Sequence, residues 1–217
     1  MTKILGFAFF MLYTLGLNAQ PAVKGGLEAF VAANNVYPQY SLQNCIQGTV
    51  TISFKLDKNG FVYYSKIRSG IGTDLDDEAL RLIRLSSGKW IVPKNHDTTV
   101  SLIAPIKFTL SGYNCENKNP EEIKRAILLY RSNQGLAGTI QNFYRNKEKG
   151  TYKKAEEARI IALRTELGYD DEYFQERIKD GLKKLKQKDK QGACEDFLFV
   201  KYMGSDLANE MLEKYCR

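Results

Sequence analysis

Residues 48–67 read GTVTISFKLDKNGFVYYSKI. Val50, Ile52, Phe54 and Leu56 alternate with Thr51, Ser53 and Lys55. A period of two sends the two sets to opposite faces, the mark of a half-buried strand. Asp57-Lys58-Asn59-Gly60 follows, a turn in which Asn59 and Gly60 accept positive φ at little cost. Residues 61–67 are rich in aromatic and branched side chains and form the returning strand. The stretch predicts a β-hairpin.

Outward from the hairpin, residues 41–45 end a short helix on its N-terminal side. On the other side Leu75, Ala79, Leu82 and Ile83 recur at helical spacing. Asp76 suits the N-cap of that helix, and Asp77 and Glu78 suit its positive end. The same acidic cluster has a metal-site or catalytic reading, but capping accounts for it without a ligand. Residues 100–110 read as a third strand with Pro105 inside it. Proline gives no N–H to a ladder, so this strand is expected at an edge. The order helix, strand, strand, helix, strand makes the second helix a right-handed crossover. The compact solution is an α+β fold: a three-stranded antiparallel sheet in the spatial order second, first, third strand, with both helices on one face.

From Asn119 the period becomes helical. Asn119-Pro120-Glu121-Glu122 supplies a cap, a proline at the first position and acids in the first turn. Ile123, Ala126, Ile127 and Tyr130 continue the pattern. Further helices are expected over 151–167, from Asp171 with Phe174, Ile178, Leu182 and Leu185 on one face, over 192–202, and over 205–215. Gly204 breaks the last two, and Ser205 is placed to cap the second of them. This half reads as an all-helical unit of hairpins.

The N-terminus has the layout of an export signal. Lys3 gives a positive start, residues 4–17 are almost wholly apolar, and Leu17-Asn18-Ala19 offers a cleavage site before Gln20. The apolar run falls short of the roughly 20 residues a membrane-spanning helix needs. If the segment is retained, it anchors the chain in the inner membrane; if it is cut, the protein is periplasmic and meets membranes only through partners. Four cysteines, Cys45, Cys115, Cys194 and Cys216, then sit in an oxidising compartment, where an even count reads as disulfides. Cys45 precedes the first strand and Cys115 follows the third, so the antiparallel sheet sets them side by side. Cys194 opens one helix and Cys216 closes the next, which a helical hairpin brings together.

The formal charge of +7 permits acidic partners but does not select among them. Acids and bases are mixed in the C-terminal half, as in Lys153-Lys154-Ala155-Glu156-Glu157, which reads as a solvated helix face, not a nucleic-acid patch. The single histidine, His96, has no second histidine with which to share a metal. The sequence offers no Cys/His nucleophile pair, no glycine-rich phosphate loop and no histidine metal cluster. A non-enzymatic protein with no cofactor, no small-molecule substrate and no nucleic-acid partner is expected.

Residues 37–110 resemble the TonB C-terminal domain. The resemblance rests on Tyr37-Pro38, Ile46-Gln47-Gly48-Thr49-Val50, Phe54, the turn 57–60, Val62, Ser69, Leu75-Asp76, Ala79, Lys89-Trp90, Pro93, Pro105-Ile106 and Phe108, in order and at matching spacing. It implies the fold derived above. It also implies binding of the short N-terminal segment of an outer-membrane receptor along the third strand, here Thr99, Val100, Ser101, Leu102, Ile103, Ala104, Ile106, Lys107 and Phe108. Gly181, the run from Gly192 to Phe197, Gly204, Ala208 and Cys216 look like a short tetratricopeptide-like repeat. The resulting division is a signal over 1–19, a short linker over 20–36, a TonB C-terminal-like domain over 37–115 and a tetratricopeptide-like helical region over 116–217.

Energy-transducing relatives of such a domain carry a permanent anchor and a long proline-rich stalk. Here only Pro21 precedes the domain, and residues 20–37 span about 60 Å at most when extended. Two functions remain: an adaptor that adds a partner's strand to its sheet, linked to TonB-dependent transport, and a structural envelope protein whose helices make the specific contacts. N-terminal sequencing of the native protein is expected to read a chain starting at or near Gln20, from the soluble periplasmic fraction. An intact Met1 in the inner membrane would contradict the signal reading.

Overall fold

A computed structural model of the chain describes residues 20–217, so the signal expected over 1–19 lies outside the described residues. The hairpin forms as β2 (Gly48–Leu56) and β3 (Val62–Ser69), and β5 (Leu102–Phe108) pairs with the free side of β2. The sheet order is β3-β2-β5 with both pairings antiparallel. That is the predicted order. Val50, Ile52, Phe54 and Leu56 are essentially unexposed, as the alternation requires, and pack with Leu75, Ala79, Leu82 and Ile83 of α3 (Asp74–Leu85). The short helix before the hairpin is α2 (Gln39–Gln43).

Local chemistry differs from expectation at the turn and at the α3 cap. Only Gly60 has positive φ at the turn, 79°. A Cβ there would lie 2.3 Å from the Trp90 carbonyl oxygen. The Asp57 carboxylate holds the turn instead, accepting from the N–H groups of Asn59 at 2.8 Å and Phe61 at 2.9 Å. The N-cap of α3 is Thr73, not Asp76. Asp76 lies at the third helical position and reaches back to accept from the N–H of Ile71 at 2.8 Å and of Gly72 at 2.9 Å. Thr73 accepts from the Leu75 N–H, so Thr73 holds the first turn and Asp76 the loop before it.

Residues 20–36, expected as a linker, carry two elements. β1 (Ala22–Val23) pairs antiparallel with β4 (Trp90–Ile91), and α1 (Leu27–Asn34) lies against the main core through Leu27 and Val31. The helix is hard to read from sequence because it buries no residue fully and has no side-chain cap.

α4 (Pro120–Glu148) joins the two halves. Asn119 caps it by accepting from the Glu121 N–H at 2.9 Å, as the sequence indicated. Ile123, Ala126 and Ile127 pack on the first core, while Ala137, Ile140 and Phe143 belong to a second. The Tyr40 hydroxyl donates to the Ala126 carbonyl at 2.7 Å and ties α2 to this helix. A turn of 3-10 helix (Lys154–Glu156), α5 (Glu157–Glu166), α6 (Asp171–Lys186), α7 (Lys190–Tyr202) and α8 (Asn209–Tyr215) complete the chain. Phe174, Ala193, Phe197, Val200, Met203 and Ala208 fill their shared core. α7 begins before Gly192 because Asp189 is its cap, accepting from the Gly192 N–H at 2.7 Å. α8 begins at Asn209, and Ser205 does not cap it; its hydroxyl lies 3.4 Å from the Leu207 nitrogen, inside the preceding turn.

Both expected disulfides are present. Cys45–Cys115 and Cys194–Cys216 each have Cα atoms 5.6 Å apart, within bonding range. The first closes a separation of 70 residues and the second one of 22. Chain entropy alone makes these worth at most about 4 and about 3 kcal/mol. Replacing Cys45 and Cys115 together by serine is expected to lower stability by more than replacing Cys194 and Cys216. Denaturant unfolding of the two variants checks the order, and equal or reversed losses would contradict it.

Candidate functional site

A three-stranded sheet has two edges, and each strand at an edge carries N–H and C=O groups that the sheet leaves unpaired. Here the two edges differ. At the β3 edge the Gln191 side-chain amide, from the first turn of α7, takes both backbone groups of Ser65. The Ser65 N–H donates to Gln191 Oε1 at 2.9 Å, and Gln191 Nε2 donates to the Ser65 carbonyl at 2.7 Å. Val62 N–H donates to the Ser87 hydroxyl at 2.9 Å. Ser65 is 1% exposed.

Arg84 of α3 fixes this contact. Its side chain is buried, donates to the Ser65 hydroxyl at 2.8 Å, and meets both oxygens of Glu195 at 2.8 Å. Asp189 lies 3.9 Å away on its other side. Burial pushes the Asp189 carboxyl up, against the pull of the Gly192 N–H and the Arg84 guanidinium. A paired carboxylate array around a buried arginine is costly to break, because either partner left alone is a desolvated charge.

The Ser65 contact also reveals the direction of every backbone group in β5. In antiparallel sheets a residue's N–H and C=O point to the same side, and the sides alternate. Ser65 faces away from β2, and Phe54 is its partner. The backbone of Phe54 therefore faces β5, where it pairs with Leu102. The register then runs without a shift through Ile52–Ala104, Val50–Ile106 and Gly48–Phe108. The backbones of Leu102, Ala104, Ile106 and Phe108 thus bond to β2, and those of Ile103, Pro105 and Lys107 point outward. Pro105 sits where its missing N–H costs the sheet nothing. Among the described residues no hydrogen bond from another element reaches the outward groups of these three.

This placement narrows the expected binding strand. Thr99 and Val100 lie in a turn and Ser101 in an irregular link, so the strand begins at Leu102. Asp97 makes the turn by accepting from the Thr99 N–H at 2.8 Å and its hydroxyl at 2.7 Å. Those bonds, the hydroxyl's first, hold the Asp97 carboxyl below the usual range. Ala104, Ile106 and Phe108 turn their side chains into the core, and Ile103, 44% exposed, turns outward.

A groove follows the open edge. One part, about 760 Å³, lies beside the start of β5 between it and residues 20–27, with Phe54 and Trp90 in its wall. A second part, about 430 Å³, runs between α1 and residues 105–109. His96 borders the first part, and its Nε2 is closed from solvent without a hydrogen-bond partner among the described residues.

The polar groups around the start of α3 have structural work. Asp74 accepts from the Tyr40 N–H at 3.1 Å and from the Ser41 hydroxyl. Glu78 pairs with Arg81 at 2.6 Å. Tyr37 donates to the Ile46 carbonyl at 2.6 Å, and burial together with the Asp74 carboxylate pushes its phenol up to about 12. Among the described residues no group of His, Cys, Asp and Glu is placed to hold a metal ion, and no helix is long and apolar enough to cross a membrane.

Residues 33–110 match the family described as Gram-negative bacterial TonB protein C-terminal. No curated protein and no solved structure matches the chain. The family match bears out the resemblance read from Tyr37 onward, and it stops before the helices from α4 on. The matched segment is similar to a TonB C-terminal domain and has the sheet order that this resemblance implied.

Ser65, Arg84, Gln191 and Glu195 had no signal in the sequence, because Gln191 meets Ser65 across 126 residues. Gln191→Ala is expected to cost about 1–2 kcal/mol, since it leaves the buried Ser65 N–H unpaired. Gln191→Glu is expected to cost more, because a carboxylate cannot donate to the Ser65 carbonyl and stands beside Glu195. Urea unfolding checks both, and a Glu variant as stable as the parent would contradict the masked edge.

Proposed function

We propose that the protein is a periplasmic TonB-like adaptor that binds an extended segment of an outer-membrane receptor or transporter as an added strand on β5, in TonB-dependent transport. The unpaired outward backbone of Ile103, Pro105 and Lys107 carries this reading, together with the cover that Gln191 places on Ser65 of the opposite edge. β-Augmentation takes its affinity from main-chain bonds and its selectivity from alternate side chains. The edge offers two donors, at Ile103 and Lys107, and an acceptor at each of the three positions. Pro105 between the donors restricts indiscriminate pairing along the edge. Two disulfides suit an exported protein.

In this reading residues 37–115 do the binding. Residues 116–217 brace them and cover the middle of β3 at Ser65. The competing reading, in which the helical region makes the specific contacts, differs in what a change on β5 does.

Proline at position 103 removes an outward donor and spares the ladder to β2. Ile103→Pro in the full chain is therefore expected to weaken capture of receptors from envelope extract about fivefold or more, the equivalent of one hydrogen bond of about 1 kcal/mol. Ile103→Ala is expected to do much less. Quantitative mass spectrometry of the captured proteins reads the difference. Equal capture by the two variants would contradict strand addition and favour the helical region.

A further inference from the structure

The three strands of the sheet hold four cations, Lys55, Lys66, Arg68 and Lys107, and no Asp or Glu. Ile52 and Phe54 point into the core, where the helices pack, so alternation sends Thr51, Ser53 and Lys55 to the opposite, open face. Cross-strand partners share a face. The register therefore sets Lys66 and Ile103 beside Ser53, and Lys107 beside Thr49, on that open face. Arg68 adds its charge from the bulge opposite Thr51. Lys66, Arg68 and Lys107 are exposed and Lys55 is half-buried.

Elsewhere in the chain lysines near the surface are paired, as in Lys118–Glu122, Lys147–Glu157, Lys179–Glu176 and Lys201–Glu148. Among the described residues none of the four sheet cations has an ion-pair partner. The Asp97 carboxylate is near enough to Lys55 to feel its charge, but it is spent on the Thr99 hydroxyl and N–H. A strand added to β5 extends the open face. Its residues opposite Ile103, Pro105 and Lys107 point to that face, and those between them look toward α1. A strand spacing of about 4.8 Å sets the first group beside Lys107 and about 14 Å from Lys66. The intervening residues meet a different wall, where Glu28 and Asn35 line the groove beside Leu27 and Val31.

We propose that the ligand strand carries acidic side chains at alternate positions, on the face it shares with Lys107, and that the four sheet cations draw and hold it there. The inference rests on strand addition at β5 and adds the charge pattern of the ligand. Acids at the intervening positions would stand before Glu28, so the preference is for alternation and not for net charge alone. Exposed charges act through water, so each contact is weak and screened by salt. Summed over one face, a single sign steers and orients an oppositely charged partner.

The test uses the full chain and three synthetic peptides, titrated by calorimetry. Two are Ac-Thr-Xaa-Val-Xaa-Val-Xaa-Val-Xaa-Thr-amide with Xaa as Glu or Gln. The third, Ac-Thr-Val-Val-Glu-Glu-Glu-Glu-Val-Thr-amide, has the composition of the Glu peptide without its alternation. At low salt the alternating Glu peptide is expected to bind about tenfold tighter than the Gln peptide and about threefold tighter than the block peptide. The first gap is expected to close at about 1 M salt, where the Debye length falls to about 3 Å. Lys107→Gln is expected to narrow the Glu–Gln gap about threefold, and Lys66→Gln, farther from the added strand, to narrow it less. If the Glu and Gln peptides bind alike and Ile103→Pro weakens both, strand addition stands and the acidic preference is wrong. If the alternating and block Glu peptides bind alike, the register of the acids is wrong. If no peptide binds, or Ile103→Pro changes nothing, strand addition and the inference built on it both fall.

Discussion

Two hydrogen bonds between the Gln191 amide and the backbone of Ser65 give the sheet its asymmetry. They take the middle of the one edge and, through the alternation of an antiparallel ladder, they mark which groups of the other edge are free. Strand β2 transmits that parity. Phe54 faces away from β3 because Ser65 does, so β5 must present Ile103, Pro105 and Lys107 outward. A proline in β5 is tolerated for the same reason. Sheet edges are hazards in any soluble protein, since each is a template for another strand. This protein covers one at Val62 and Ser65 with a serine hydroxyl and a glutamine amide and leaves the other lined by a groove.

The helical half has a mechanical meaning in this arrangement. It reaches the sheet through Arg84, whose guanidinium joins Ser65 to Glu195, and through α4, which enters both cores. The disulfides lie at different places: Cys45–Cys115 pins the ends of β2 and β5, and Cys194–Cys216 pins α7 to the end of α8. The first ties the chain before β2 to the chain after β5, near the Gly48–Phe108 pair. The second steadies the helix that carries Gln191.

The sheet was legible because its cause is local. Alternation over 48–56 and a turn at 57–60 determine a hairpin, and Pro105 points to an edge strand whatever its partners. The cysteine pairs followed from the topology that the hairpin and crossover imply. Other features were not legible, for physical reasons. The start of β5 was placed too early because Val100 continues the apolar alternation, while the Asp97 carboxylate bends the chain at Thr99. β1 and α1 were missed because two residues of strand and an eight-residue helix with no fully buried face leave almost no periodic signal. α8 was begun too early because Ser205 looks like a cap, yet the chain spends Ser205 and its neighbours on a turn. Gln191 could not be found at all: its partner is 126 residues away, and a glutamine in a helix reads as a solvated side chain.

The central claim is that the outward backbone of β5 is free until a partner strand takes it. Residue-resolved amide hydrogen exchange on the full chain measures this without any variant. The account predicts that the N–H groups of Ile103 and Lys107 exchange fast in the unbound protein, that those of Ala104, Ile106, Phe108 and Ser65 exchange slowly, and that a bound partner slows Ile103 and Lys107. Ile103 and Lys107 as slow as Ala104 in the unbound protein, or still fast with the partner bound, would contradict it.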